Sequence, residues 1–141
     1  MSVFIMRHFQ RGDDPSYFTT LTTDGQKRAK AFFIPDIKRI VTSPFIRCIQ
    51  SVKPFAESNN IPMYVSCDLA EYIDDERHGI TLETKDQLRQ RVARFMLNEA
   101  MPKVNTLYVT HQSVAKMMGA GILSEGEVVE LRTIKAQKKH I

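Results

Sequence analysis

Short apolar runs alternate with polar stretches rich in turn formers, and the spacing of apolar positions switches repeatedly between continuous and helical. Val3, Phe4, Ile5 and Met6 are continuous, the pattern of a strand buried on both faces of a parallel sheet, with Arg7 and His8 at its C-terminal end. Phe9 to Thr22 then carries Gly12, Asp13, Asp14, Pro15 and Ser16, a cluster of turn formers. Leu21-Thr22-Thr23-Asp24 offers an N-cap for a helix running to about Phe33. Ile37, Ile40 and Val41 predict a second strand ending at Thr42-Ser43, and Pro44 suits the first turn of the next helix. Along that helix Phe45, Ile49, Val52, Phe55 and Ala56 recur at three- and four-residue spacing, a core-facing stripe that Pro54 should bend or split.

Pro62 to Ser66 reads as a short third strand, and Asp68 to Thr84 as the longest connection, polar and irregular. Leu88, Val92, Phe95 and Met96 put one apolar face on a helix from about Lys85 to Ala100. Thr106 to Thr110 is a buried strand ending in His111. Val114, Ala115, Met117, Met118 and Ile122 predict a further helix, and Glu127 to Ile134 a last strand. Strands alternating with helices over short connections imply an α/β fold, a mostly parallel sheet covered on both faces.

Length and composition narrow this picture. A chain of 141 residues has room for one domain, taken as 1–134 with a short basic tail at 135–141. Hydrophobic residues at 43% and charged residues at 26% match an ordinary globular chain. The apolar runs are far too short to span a bilayer, and the N-terminal run leads straight into Arg7 and His8 without a signal-like cleavage region. Cys48 and Cys67 make no disulfide framework and read as packing residues, which favours a reducing, cytoplasmic setting. The net charge of +4 owes three positive charges to Lys135, Lys138 and Lys139. The tail lacks the aromatic interleaving of a single-strand binder, so no nucleic-acid partner and no membrane is expected, and the oligomeric state is left open.

Candidate chemistry gathers at strand ends. In a sheet of this kind ligands bind beyond the C-terminal edge, where loops and helix N-termini converge. His8 follows the first strand, His111 follows the Thr106–Thr110 strand, and Arg47 lies in the first turns of the second helix. A lone histidine at a strand end is more often a core or surface residue than a nucleophile, and a lone helical arginine is usually solvated. Meeting in one crevice, however, the three suit a phosphoryl group, whose spread negative charge positioned arginines stabilise.

The motif context sharpens that reading. Arg7-His8-Phe9, Leu21-Thr22-Thr23-Asp24-Gly25, Ser43-Pro44-Phe45-Ile46-Arg47-Cys48-Ile49-Gln50-Ser51, Leu69-Ala70-Glu71 and Thr110-His111-Gln112 occur in this order over nearly the whole chain. In them the sequence resembles the histidine phosphatase superfamily, with its R-H-G, L-T-x-x-G, S-P-x-x-R-x-x-Q-T, L-x-E and T-H-G elements, and within it the small, lid-poor branch. The resemblance implies a phosphoglycerate-mutase-like, three-layer α/β/α sandwich. It also implies phosphoryl transfer through a phosphohistidine, with His8 as nucleophile, Arg7, Arg47 and His111 holding the oxygens, and Glu71 as proton donor. Asp74, Asp75 and Glu76 are rivals for that last role. Arg11 matches a second pocket arginine in one branch. No metal or other cofactor is expected, and His78 and His140 match no family position.

Two departures bear on function. Phe9 and Gln112 stand where the family has glycine, so both enter as candidate substrate-binding residues that either shape the pocket or obstruct it. The leading expectation is a phosphatase acting on a phosphorylated small molecule or a phosphoprotein, phosphotyrosine and phosphohistidine included. A non-catalytic phosphate- or phosphopeptide-binding module is the second class. A mutase is weaker, because it needs an enclosed site and only Asp68 to Thr84 is available to form a lid.

Overall fold

A computed structural model describes residues 1–14, 16–74, 82–100 and 102–131. Strands β1 (Val3–Arg7), β2 (Arg39–Thr42), β3 (Met63–Val65), β4 (Thr106–Thr110) and β5 (Val128–Leu131) alternate with helices α1 (Thr23–Ala31), α2 (Ile46–Ser58), α3 (Lys85–Asn98) and α4 (Gln112–Met117). A 3-10 turn, Cys67–Leu69, follows β3. The five strands form one sheet in the order β3-β2-β4-β1-β5, parallel except for β5, which runs antiparallel to β1.

The continuous apolar runs are explained by helices on both faces. Val3 and Ile5 of β1, Val41 and Tyr108 point into one core with Leu88, Val92 and Phe95 of α3 and Val114 and Ala115 of α4. Met6, Ile40, Leu107 and Val109 point into the other with Ala29 of α1 and Cys48, Val52, Phe55 and Ala56 of α2. Alternate residues of the central strands thus serve opposite layers, and the buried polar residues Thr42, Thr106 and Thr110 sit at the strand ends. This is the expected three-layer α/β/α sandwich.

Helix starts follow local chemistry. The Thr22 hydroxyl accepts from the Gly25 amide at 3.0 Å, and Thr84 and Gln87 form a reciprocal capping box on α3. Gly25 is needed for packing, since a Cβ there would lie 2.5 Å from the Gln10 carbonyl oxygen. Four details differ from the sequence reading. Pro44 precedes α2, whose N-cap is Phe45. α2 is not split at Pro54, because Phe55 and Ala56 beyond it are buried and their packing offsets the lost backbone bond. α4 ends at Met117, leaving Ile122 in a following turn and 82% exposed. Cys48 is a packing residue as expected, but Cys67 is exposed on its 3-10 turn. Among the described residues no helix is long and apolar enough to cross a membrane. Asp75, Glu76, His78, His140 and the 135–141 tail lie outside the described residues.

Candidate active site

The parallel pairing of β1 with β4 sets Arg7 opposite Thr110, so His8 and His111 leave the sheet side by side at its C-terminal edge. Their rings meet edge-on with centroids 5.5 Å apart. His8 Nδ1 lies 2.7 Å from the Phe9 carbonyl oxygen. A carbonyl only accepts, so Nδ1 carries the proton and Nε2 keeps its lone pair. Burial, and then the charges of Arg47, Arg7 and Arg11, outweigh the carbonyl contact and lower the His8 pKa to about 4. At neutral pH the ring is therefore an uncharged base with a free nitrogen.

The peptide following His8 is itself clamped. The Phe9 amide donates to Ser51 Oγ at 2.9 Å, and that hydroxyl donates to the Arg47 carbonyl at 2.7 Å. Ser51 lies four residues after Arg47 on α2, which puts both on the face turned to the sheet end. Its place in the Ser43–Ser51 motif was legible, whereas its clamping of Phe9 was not, because that contact spans 42 positions.

Arg47 is fully buried. Its Nη1 donates to the Tyr17 carbonyl at 2.7 Å and its Nη2 faces Glu71 Oε2 at 3.3 Å, while its Nε is buried without a partner. Arg7 repeats the pattern, with Nη1 on the Leu123 carbonyl at 3.0 Å and a buried, partnerless Nε. A desolvated guanidinium with an unsatisfied donor favours an anionic acceptor. Burial also drives the pKa of Arg47 down from its ordinary value, against the opposing pull of Glu71.

His111 is fully buried, with Nε2 2.8 Å from Ser43 Oγ and Nδ1 3.4 Å from both Arg47 Nη2 and Glu71 Oε2. Burial, then Arg47 and His8, hold its pKa well below the usual value. Glu71 follows the 3-10 turn and keeps its side chain 22% exposed, on the rim between Arg47 and His111. Burial raises its pKa above the ordinary carboxylate value, and Arg47 opposes this only in part. Its rival Asp74 accepts instead from the Tyr17 hydroxyl at 3.3 Å. Cys48 lies 3.5 Å from His111 Nε2, but burial pushes its thiol up to about 12, which leaves it a neutral packing group.

Structure thus brings His8, Arg47, Glu71 and His111 into one cluster with Arg7 behind it. Arg11 is held by the Asp14 and Ser16 carbonyls at 2.9 and 2.7 Å, near enough for its charge to act on His8, Arg47, Glu71 and His111. The two bulky departures lie differently. The Phe9 ring is buried in the α1–α2 core, edge-on to Phe32 at 5.7 Å and beneath the Arg28 guanidinium at 4.9 Å. Gln112 spans the next turn, donating to the Gly121 carbonyl at 3.1 Å and accepting from the Leu123 amide at 2.7 Å. That same Leu123 carries the carbonyl that holds Arg7.

Neither a family model nor a curated protein sequence matches the chain. Its fold, however, recurs among solved structures. An alpha-ribazole phosphatase from Shigella flexneri superposes with a TM-score of 0.73 at 19% identity, over 92% of this chain and 89% of that one. A mycobacterial glucosyl-3-phosphoglycerate phosphatase gives 0.65 at 16% identity, over 92% and 88%. The protein histidine phosphatase SixA, in complex with tungstate, gives 0.63 at 18% identity, over 92% and 86%. The chain therefore has the phosphoglycerate-mutase-like fold that these structures share.

Proposed function

We propose that this protein is a phosphatase that works through a phosphohistidine on His8. The observation that carries the reading is the state of His8: uncharged, its Nδ1 proton committed to the Phe9 carbonyl, its Nε2 free near two arginines whose buried Nε donors have no partner. The similarity in fold to three phosphatases supports it.

In the first step the Nε2 lone pair attacks phosphorus in line, and the bond from phosphorus to the ester oxygen breaks as the new P–N bond forms. Arg7, Arg47 and His111 hold the equatorial oxygens, with Arg11 adding charge from the loop. Glu71, whose raised pKa favours its protonated form, gives its proton to the leaving oxygen. In the second step the Glu71 carboxylate takes a proton from water, whose oxygen attacks phosphorus. The P–N bond breaks, and inorganic phosphate and neutral His8 are regenerated. The scheme needs no metal or other cofactor, since the guanidinium groups supply the positive charge.

The substrate class is a phosphorylated small molecule or a phosphoprotein carrying phosphotyrosine or phosphohistidine. The test is turnover of p-nitrophenyl phosphate at mildly acidic pH with a chelator present. His8→Ala should reduce it to background, and undiminished turnover by that variant sinks the proposal. Phosphate binding without turnover by the wild-type chain would favour a non-catalytic phosphate-binding module instead.

A further inference from the structure

The main chain that carries Glu71 is held from behind by a side chain of α3. Arg91 donates from Nη1 to the Asp68 carbonyl at 2.7 Å and from Nη2 to the Glu71 carbonyl at 3.2 Å. Its remaining edge is gripped by Glu83, at 2.6 Å from Nε and 3.0 Å from Nη2. Both partners of this pair are largely buried, at 13% and 17% side-chain exposure. Between the two Arg91 contacts the Leu69 carbonyl accepts from Thr110 Oγ1 at 2.7 Å, and beyond them the Glu83 amide donates to the Ile73 carbonyl at 2.9 Å. The short arch from Asp68 to Ile73 is thus tied at four carbonyls.

We propose that Arg91, held in register by Glu83, is a positioning residue that fixes where the Glu71 carboxyl meets the leaving oxygen. The proposal rests on the reading of Glu71 as proton donor. Glu71 reaches the cluster from the irregular chain just beyond the 3-10 turn, and a carboxyl displaced by about 1 Å loses much of its value in proton transfer. A guanidinium fits the task because it is planar and presents several donors in fixed directions, here two to carbonyls and two to one carboxylate. Lysine at 91 would keep the charge and lose the fork.

The test compares kcat/KM for phenyl phosphate and p-nitrophenyl phosphate in wild type, Arg91→Lys, Glu83→Gln and Glu71→Gln. The two esters are similar in shape but differ in the basicity of the leaving oxygen, so only phenyl phosphate depends strongly on a well-placed proton. Arg91→Lys is expected to lower kcat/KM about tenfold for phenyl phosphate and threefold or less for p-nitrophenyl phosphate, with Glu71→Gln showing the same bias more strongly. A purely architectural role predicts equal losses on both esters, and equal losses or no loss overturn the proposal. Absence of the bias in Glu71→Gln removes the proton-donor reading and the positioning role together. Its presence there but not in the Arg91 variant removes the positioning role alone. Should Arg91→Lys fail to fold, Glu83→Gln carries the same comparison.

Discussion

Burial pushes His8 and Glu71 in opposite directions, and both shifts serve the same reaction. Desolvation disfavours charge, so the imidazole stays neutral to about pH 4 while the carboxyl holds its proton above its ordinary range. The expected kcat/KM profile is a bell whose acid limb lies near pH 4. Activity is lost below about pH 4 as His8 takes up a proton, and lost on the alkaline side as Glu71 gives one up. Glu71→Gln should lower the maximum and remove the alkaline limb, which pH profiles of the two proteins will show. Ser51→Ala probes the clamp on Phe9: with that amide unpaired, His8 loses orientation, and kcat should fall about tenfold with KM little changed. Most of the charged cluster was legible in the sequence, because His8, Arg47 and His111 lie at strand or helix ends. The direction of the Phe9 ring was not, since the motif fixes only its backbone position. Which nitrogen of His8 is free was equally hidden, being set by a carbonyl.

At the scale of elements, the turn before β5 is built onto the strand that ends at His8. The Gly126 amide donates to both the Arg7 and His8 carbonyls, at 3.0 and 2.8 Å, and its φ of +83° is one that side chains rarely adopt. A Cβ there would lie 2.5 Å from Phe9 Cδ1. Gly126→Ala should therefore destabilise the fold by about 1–3 kcal/mol in urea unfolding, from φ strain and the clash together, and should lower activity by shifting the carbonyls beside His8, the proposed nucleophile. Thr84→Ala, which removes the cap of α3, should lose about 1 kcal/mol and leave kcat/KM for p-nitrophenyl phosphate near wild type. Periodicity located every described strand because each is short and apolar. It extended α4 too far because Ile122 matches a helical stripe while Gly119 and Gly121, both at positive φ, turn the chain away. The antiparallel sense of β5 carries no local signature, since strand direction depends on where the preceding turn returns the chain.

For the whole molecule, the two buried histidines make stability fall in acid. The unfolded chain binds a proton on His8 near pH 6.5 and the folded chain only near pH 4, so in that window proton uptake favours unfolding. The His8 contribution to stability is complete above pH 6.5 and falls towards pH 4 by about 3 kcal/mol, with His111 acting in the same direction and Glu71, its pKa raised, in the opposite one. Urea unfolding across this range should show the decline, and His8→Ala should flatten it. Added phosphate or tungstate should raise the midpoint by mass action if the guanidinium cluster binds the oxyanion. What the sequence could not reveal at this scale was how distant segments support the cluster: the Leu123 carbonyl on Arg7 lies 116 positions away, and the Arg91 fork reaches Glu71 across 20. Such contacts arise from tertiary packing and follow no spacing rule. The most direct test of the central claim is rapid quenching of the chain during turnover of a radiolabelled phosphomonoester. A phosphoryl adduct stable in alkali, labile in acid, located on His8 and absent from His8→Ala is the predicted result; turnover with no adduct, or with an adduct on another residue, would contradict it.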